Sequence, residues 1–238
     1  MKRWCLALLL LLPVWAQAED ALRDIRLVSE VWHDYTNTDG SGLGWDIMRK
    51  VFEPAGVVLK MQNVPYTRSV GLVQRGEADA WLGSYRDEVT EGVFYPKWYY
   101  DQDPIVALGL RETPSPTLKD LGKYRLVWMR GYGYERYLPN VKAYSELQRR
   151  AGVLGMLKLG YADFYIDAVA EVNDLLEAVD DRDKYRVSSL TKLPLYVGFA
   201  DTPKGRSLAE LFDRRMSALV TAGRLRPVFS AWGQPYPF

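Results

Sequence analysis

The sequence predicts an α/β fold made of two similar lobes, each a mostly parallel sheet with helices packed on it. Two observations predict it. Strand-like and helix-like segments alternate in two separate stretches of the chain, which is the βαβαβ order of a parallel sheet. The tetrapeptide Gly-x-Ala-Asp also occurs twice, opening "GEADAWLGSYRDE" at Gly76 and "GYADFYIDA" at Gly160, each time between a helix-like segment and an apolar run. Two copies of one helix-end, acid, strand junction are what two equivalent lobes would contain, and two lobes can hold a molecule between them.

The first eighteen residues stand apart from the fold. Lys2 and Arg3 precede the apolar run "WCLALLLLLPVWA", and Ala16-Gln17-Ala18 is a small-residue cleavage pattern. The run falls short of the roughly 20 residues that span a bilayer. A cleaved signal peptide over residues 1–18 is expected, with the exported chain starting at Glu19.

From there "DIRLVSEV" reads as a strand. "GWDIMRKVFEPAG" reads as a helix, with Trp45, Met48, Val51 and Phe52 on one side and Pro54 and Gly56 as its stop. "VVLKMQNV" is a second strand, "TRSVGLVQRG" a second helix ending at Gly76, and "DAWLGS" a third strand. After "YYDQDPIVALGLRETPSPT" the pattern resumes with the strand "YRLVWMRG", the short helix "VLGMLKLG" and the strand "DFYIDA". The helix "AVAEVNDLLEAV" places Val169, Val172, Leu175, Leu176 and Val179 on one side. "PLYVGFA" is the last strand, and "SLAELFDRRMSALVTAG" a final helix with Leu208, Leu211, Phe212, Leu219 and Val220 in one stripe.

Composition narrows the chemistry. The single cysteine, Cys5, leaves with the leader, and His33 is the only histidine, which argues against a zinc or iron site of the usual ligands. No cofactor is expected. Loss of Lys2 and Arg3 leaves 29 of the 31 basic residues against 30 acidic ones, a balance that gives no reason to expect nucleic acid or an anionic membrane as partner. Sixteen tyrosines and eight tryptophans supply both core area and stacking faces.

In open α/β sheets ligands bind beyond the carboxyl ends of the strands. The loops so placed are Gly83 to Asp87, Asp167 to Ala168, and "MRGYGYERY" after the strand "YRLVW". In these loops, and in "GSGLGWDIMRKVFEPAGV", "VPYTRSVGLVQRGEADAWLGS", "FYPKWYYDQD", "KDLGKYRLVWMRGYGYERYL" and "TAGRLRPVFSAWG", the chain resembles bacterial periplasmic solute-binding proteins of the polar amino-acid ABC-transporter class (extracellular solute-binding protein family 3). The resemblance extends over nearly all of the chain after the leader.

The resemblance implies a two-lobed periplasmic binding protein fold of type II, with lobe one at 19–101 plus 199–238, lobe two at 102–198, and the ligand between them. The two crossings would lie near Asp101 to Pro104 and near Leu195 to Gly198. It implies a monomeric periplasmic receptor without catalysis, carrying an amino acid or a related small polar solute to an inner-membrane ABC permease. A membrane sensor as partner, or a small-acid dehydratase using Glu88, Glu91 or His33, is the alternative.

The resemblance also nominates residues. Tyr66 and Trp32 match ligand-packing aromatics, although an aromatic after a strand also serves a core. Arg86 is the candidate carboxylate clamp, since a guanidinium makes paired charged hydrogen bonds; pairing with Asp87 or Glu88 at the surface is its other use. Ser84, Tyr85 and Arg86 are the candidate binding residues of this loop; the family's arginine lies several residues later and Tyr85 stands where Thr or Ser is usual, so Tyr85 and Arg86 depart from the pattern. Arg68 is a second candidate cation, or part of a solvated helix face. Gly131, Tyr132 and Gly133 replace a Gly-Thr or Gly-Ser turn that presents N–H groups to a carboxylate. Asp167 matches the aspartate that takes an amino group, or caps the next helix. Asp79 and Asp163 are expected to close helix–strand corners.

Overall fold

The computed structural model describes residues 22–238; the expected leader lies outside the described residues. The strands are β1 (Asp24–Ser29), β2 (Val58–Asn63), β3 (Ala80–Ser84), β4 (Val93–Phe94), β5 (Asp101–Leu110), β6 (Arg125–Met129), β7 (Ala143–Leu147), β8 (Phe164–Ala168) and β9 (Tyr185–Ala200). The helices are α1 (Leu43–Phe52), α2 (Tyr66–Gln74), α3 (Val153–Lys158), α4 (Val169–Glu177), α5 (Pro203–Thr221) and α6 (Arg226–Ala231).

Sheet order is β2-β1-β3-β9-β5-β8-β6-β7, with β4 on the end of β9. The strands β2, β1 and β3 are parallel, as are β8, β6 and β7. Between these two parallel groups run β5 and β9, antiparallel to each other and to their outer neighbours. The stretch read as the strand "PLYVGFA" is the end of the 16-residue β9, which pairs with β5 along Tyr185 to Leu195 and with β3 along Tyr196 to Phe199. At about 3.3 Å per residue such a strand is roughly 50 Å long. It therefore serves both halves of the molecule.

Each half has its own aromatic core. Trp45, Phe52, Trp81, Phe199 and Phe212 are buried in the first, where α1 meets α5 through the Phe52–Phe212 pair at 6.3 Å. Trp128, Phe164 and Tyr165 are buried in the second.

The repeated tetrapeptide builds the same clasp twice. The Asp79 carboxylate accepts from the Arg26 backbone N–H at 2.7 Å and from its guanidinium, which also donates to the Gly76 carbonyl at 3.2 Å. Asp163 accepts from the Arg125 N–H at 2.7 Å and from its guanidinium at 2.7 Å, and the same guanidinium reaches the Gly160 carbonyl. Gly76 and Gly160 have φ of 71° and 69°, the left-handed conformation that ends a helix most easily without a Cβ. Each clasp ties a helix end to the first residues of a central parallel strand and so fixes which strand ends form the site.

Candidate functional site

A cavity of about 130 Å³ lies where the two halves meet, at the carboxyl ends of β3 and β8. It is close in size to the roughly 150 Å³ cavity that holds one benzene. The first half contributes Trp32, Tyr35, Tyr66, Gly83 and Tyr85; the second contributes Tyr132, Tyr134, Asp167 and Glu171; Asp101 and Asp103 come from the start of β5.

Of the residues nominated from sequence, Trp32, Tyr66, Tyr85, Tyr132 and Asp167 line this cavity, and Arg68, Ser84, Arg86, Gly131 and Gly133 do not. Arg86 turns away from it. Its guanidinium donates to the carbonyl of Pro96 at 2.8 Å and stacks 4.4 Å from the Tyr196 ring, so it does not present a carboxylate clamp. Arg68 is on the exposed side of α2. The Ser84 hydroxyl is buried and donates to Glu88 at 2.9 Å. Gly131 and Gly133 form a positive-φ turn whose Gly131 lies against Thr67 of the other half and donates its N–H to Glu146 at 3.1 Å.

Asp167 is 1% exposed and its acceptor sites are taken: Arg150 Nε donates at 3.1 Å, the Ala168 N–H at 2.8 Å, the Tyr134 hydroxyl at 3.4 Å, and the Tyr165 hydroxyl is closer still. A carboxylate offers about four such sites, so Asp167 positions Arg150 and Tyr134 and has none left for a ligand ammonium. It is not a side-chain cap of α4 either, whose capping residue is Ala168.

Arg150 is the residue that sequence reading missed. It sits before α3, and its guanidinium spreads over Asp167, Glu171 at 2.9 Å and the Tyr132 hydroxyl at 2.7 Å. Burial alone would lower its pKa, but Asp167, Tyr132 and Glu171 outweigh it and hold the charge firmly. The Tyr132 hydroxyl in turn accepts from Trp32 Nε1 at 3.2 Å, which joins the two halves across the cavity. Tyr85 makes a second crossing, with its hydroxyl 3.0 Å from Asp103 and 3.4 Å from that of Tyr134. Burial, reinforced by the nearby carboxylates, pushes the Tyr85, Tyr132 and Tyr134 hydroxyls well above their ordinary pKa, so all three stay protonated.

Asp101 and Asp103 also escaped assignment, although "DQDP" carries two acids two residues apart just before an apolar run. The Tyr35 hydroxyl donates to Asp101 at 2.9 Å and the Gln102 N–H at 2.8 Å. Burial raises Asp101 to about 6; burial, then the neighbouring Asp101 charge, raises Asp103 to about 7. The dehydratase candidates are dispersed. Glu88 is buried behind the cavity, bonded by Tyr66 at 2.6 Å and by Ser84; Glu91 is exposed; His33 stands at the mouth, 3.7 Å from Asp34 and 3.8 Å from Asp174.

No protein-family model matches the sequence, and no curated protein sequence matches it. Solved structures do match in three dimensions. An ABC uptake transporter substrate-binding protein from Streptococcus pneumoniae with bound histidine superposes with a TM-score of 0.68 at 19% identity, covering 92% of this chain and 95% of its own. The chain has the two-lobed α/β fold of the periplasmic binding proteins. An ancestral arginine-binding protein bound to glutamine gives 0.69 at 13% identity, over 88% of this chain and 97% of its own. A histidine kinase sensor domain with similarity to periplasmic binding proteins gives 0.67 at 15% identity, over 90% and 97%. Neighbours with this fold thus include both transporter-associated binding proteins and a sensor domain.

Proposed function

We propose that this chain is a periplasmic receptor that closes on one small polar solute, an amino acid or a related compound, for delivery to an inner-membrane ABC permease. The observation that carries the reading is the cavity itself: it lies at strand carboxyl ends, where open α/β sheets bind ligands, and side chains from both halves bond across it. Lobe one would comprise 19–101 plus 199–238 and lobe two 102–198, with β5 and β9 as the crossing strands. Of the three dehydratase candidates, Glu88 and Glu91 lie off the cavity and His33 stands only at its mouth, which supports a role in binding without turnover. The sensor-domain neighbour supports a second reading, in which the same closed form is presented to a membrane sensor. Loss of solute uptake on deletion would support the importer; unchanged uptake with a lost signalling response would support the sensor.

A thermal-shift screen of the protein from Glu19 onward, against amino acids, amines, small carboxylates and short peptides, tests the receptor reading. A ligand at 100 times its Kd adds about 2.7 kcal/mol, which is roughly 5–10 °C for a chain of this length. A rise of that size with one solute is expected. Absence of a shift throughout the panel would remove the receptor reading.

A further inference from the structure

The cavity carries more negative charge than its own side chains neutralise. Asp101, Asp103, Asp167 and Glu171 all face it. The single guanidinium beside it, Arg150, is shared by Asp167 and Glu171, and its remaining Nη2 donates to Tyr132. Among the described residues, Asp101 and Asp103 have no cationic partner; their donors are the Tyr35 hydroxyl, the Gln102 amide and the Tyr85 hydroxyl. Two residues apart on β5, they face the same side of the strand. Removing a carboxylate from water without an opposite charge is costly, and a bound cation offsets that cost.

The walls select the same charge. Trp32, Tyr35, Tyr66, Tyr85, Tyr132 and Tyr134 surround the space, and ring faces attract cations. A free donor cation is the strongest partner for a ligand carboxylate, and no lysine or arginine lines the cavity. Arg86 is committed elsewhere, and Arg150 is already shared by Asp167, Glu171 and Tyr132. The acids do not group as a metal site either, since no cluster of three or more His, Cys, Asp or Glu able to hold an ion occurs among the described residues.

We propose that the ligand is a small organic cation, an amine or guanidinium compound without a carboxylate, with its charged end against Asp101 and Asp103 inside the aromatic walls. The inference rests on the receptor reading above and narrows its solute. It replaces the expected pair of Arg86 for a carboxylate and Asp167 for an ammonium with two carboxylates and no anion site. The raised pKa values of Asp101 and Asp103 agree: both are short of a positive neighbour, and a bound cation would draw them down and release protons near pH 6.5.

Calorimetric titration with matched pairs tests it: agmatine against arginine, cadaverine against lysine, putrescine against ornithine, with choline added. One amine is expected to bind about tenfold or more tighter than its parent amino acid. At pH 6.5 its apparent enthalpy should vary with the buffer's ionisation enthalpy, in the sense of proton release. Asp103→Asn and Asp101→Asn, each checked for a native melting transition, should weaken that amine about 30-fold or more. Tighter binding of an α-amino acid than of its amine would overturn the inference and leave the receptor reading intact. So would amine binding that both variants retain. No response to any small polar solute would remove the receptor reading first.

Discussion

Asp103 and Asp101 are held in the folded chain by neutral donors in a site that excludes much of the water, and this has a consequence for stability against pH. Both carboxylates have a usual value of 3.8; burial lifts Asp101 to about 6, and burial, then the Asp101 charge, lifts Asp103 to about 7. The unfolded chain releases these protons near pH 4. Between pH 4 and about 7 the folded state therefore binds more protons, so the contribution is full below pH 4 and is lost as pH rises through the folded values. Asp24 acts in a separate window: its ion pairs with Lys204 and Lys60 lower it to about 2, so its contribution is present above pH 4 and disappears as pH falls through about 2. The melting temperature of the ligand-free protein should thus decline from pH 5 to pH 8. Asp103→Asn should flatten the decline, matching the parent at pH 5 and melting about 2–5 °C higher at pH 8. Calorimetric melting at pH 5, 6.5 and 8 measures this, and a variant with the parent's slope would show that Asp103 does not carry the effect.

The helix–strand clasps differ in depth, and their stabilities should differ accordingly. Asp79 is 5% exposed and serves Lys204 at 2.9 Å as well as Arg26, so its removal takes a partner from two cations, of which Lys204 keeps Asp24 at 2.7 Å and Arg26 is half in water. Asp163 is 26% exposed and serves one arginine that is itself half in water. Asp79→Ala should cost about 2 kcal/mol and Asp163→Ala about 1 kcal/mol, read from urea denaturation midpoints. Equal costs would mean that Lys204 adds nothing to the first clasp. The glycine, acid and strand of each clasp were legible because they are local, whereas Arg26 and Arg125, 53 and 38 residues away from their acids, were not. The two α/β units followed from the same local signals. The local pattern did not mark β5 as a strand, because Pro104 and the acids of "DQDP" disguise its start and its partner β9 is distant in sequence; only the resemblance placed a crossing at Asp101 to Pro104. The cavity was legible in part for the same reason. Strand ends pointed to Tyr85, Tyr132 and Asp167, but nothing near Arg150 in the chain marks it as the partner of Asp167, and nothing near Arg86 shows that the Pro96 and Lys97 carbonyls occupy it.

The two halves of the molecule are joined by contacts outside the cavity as well as within it. The Arg136 guanidinium donates to the Glu88 carbonyl and the Tyr137 hydroxyl to the Arg86 carbonyl at 3.2 Å, so the turn after β6 is fastened to the loop after β3. Neither Arg136 nor Tyr137 lines the cavity. In the proposed receptor these bonds would bias the balance between open and closed forms without touching a ligand, whose apparent affinity scales with the closed fraction. The double variant Arg136→Ala, Tyr137→Phe keeps the Tyr137 ring, which packs edge-on against Tyr85 at 5.0 Å, and removes both bonds. At roughly 1 kcal/mol each, their loss should shift the balance toward the open form by about 2 kcal/mol and weaken ligand binding up to about 30-fold. Small-angle scattering should show a ligand-free variant at least as expanded as the parent and a ligand-saturated variant of the parent's closed dimensions, because the cavity contacts remain. A variant that binds with the parent's affinity would assign closure to the Trp32–Tyr132 and Tyr85–Tyr134 contacts alone; one that stays expanded at saturation would make the outer bonds part of the closed structure instead of a bias on it.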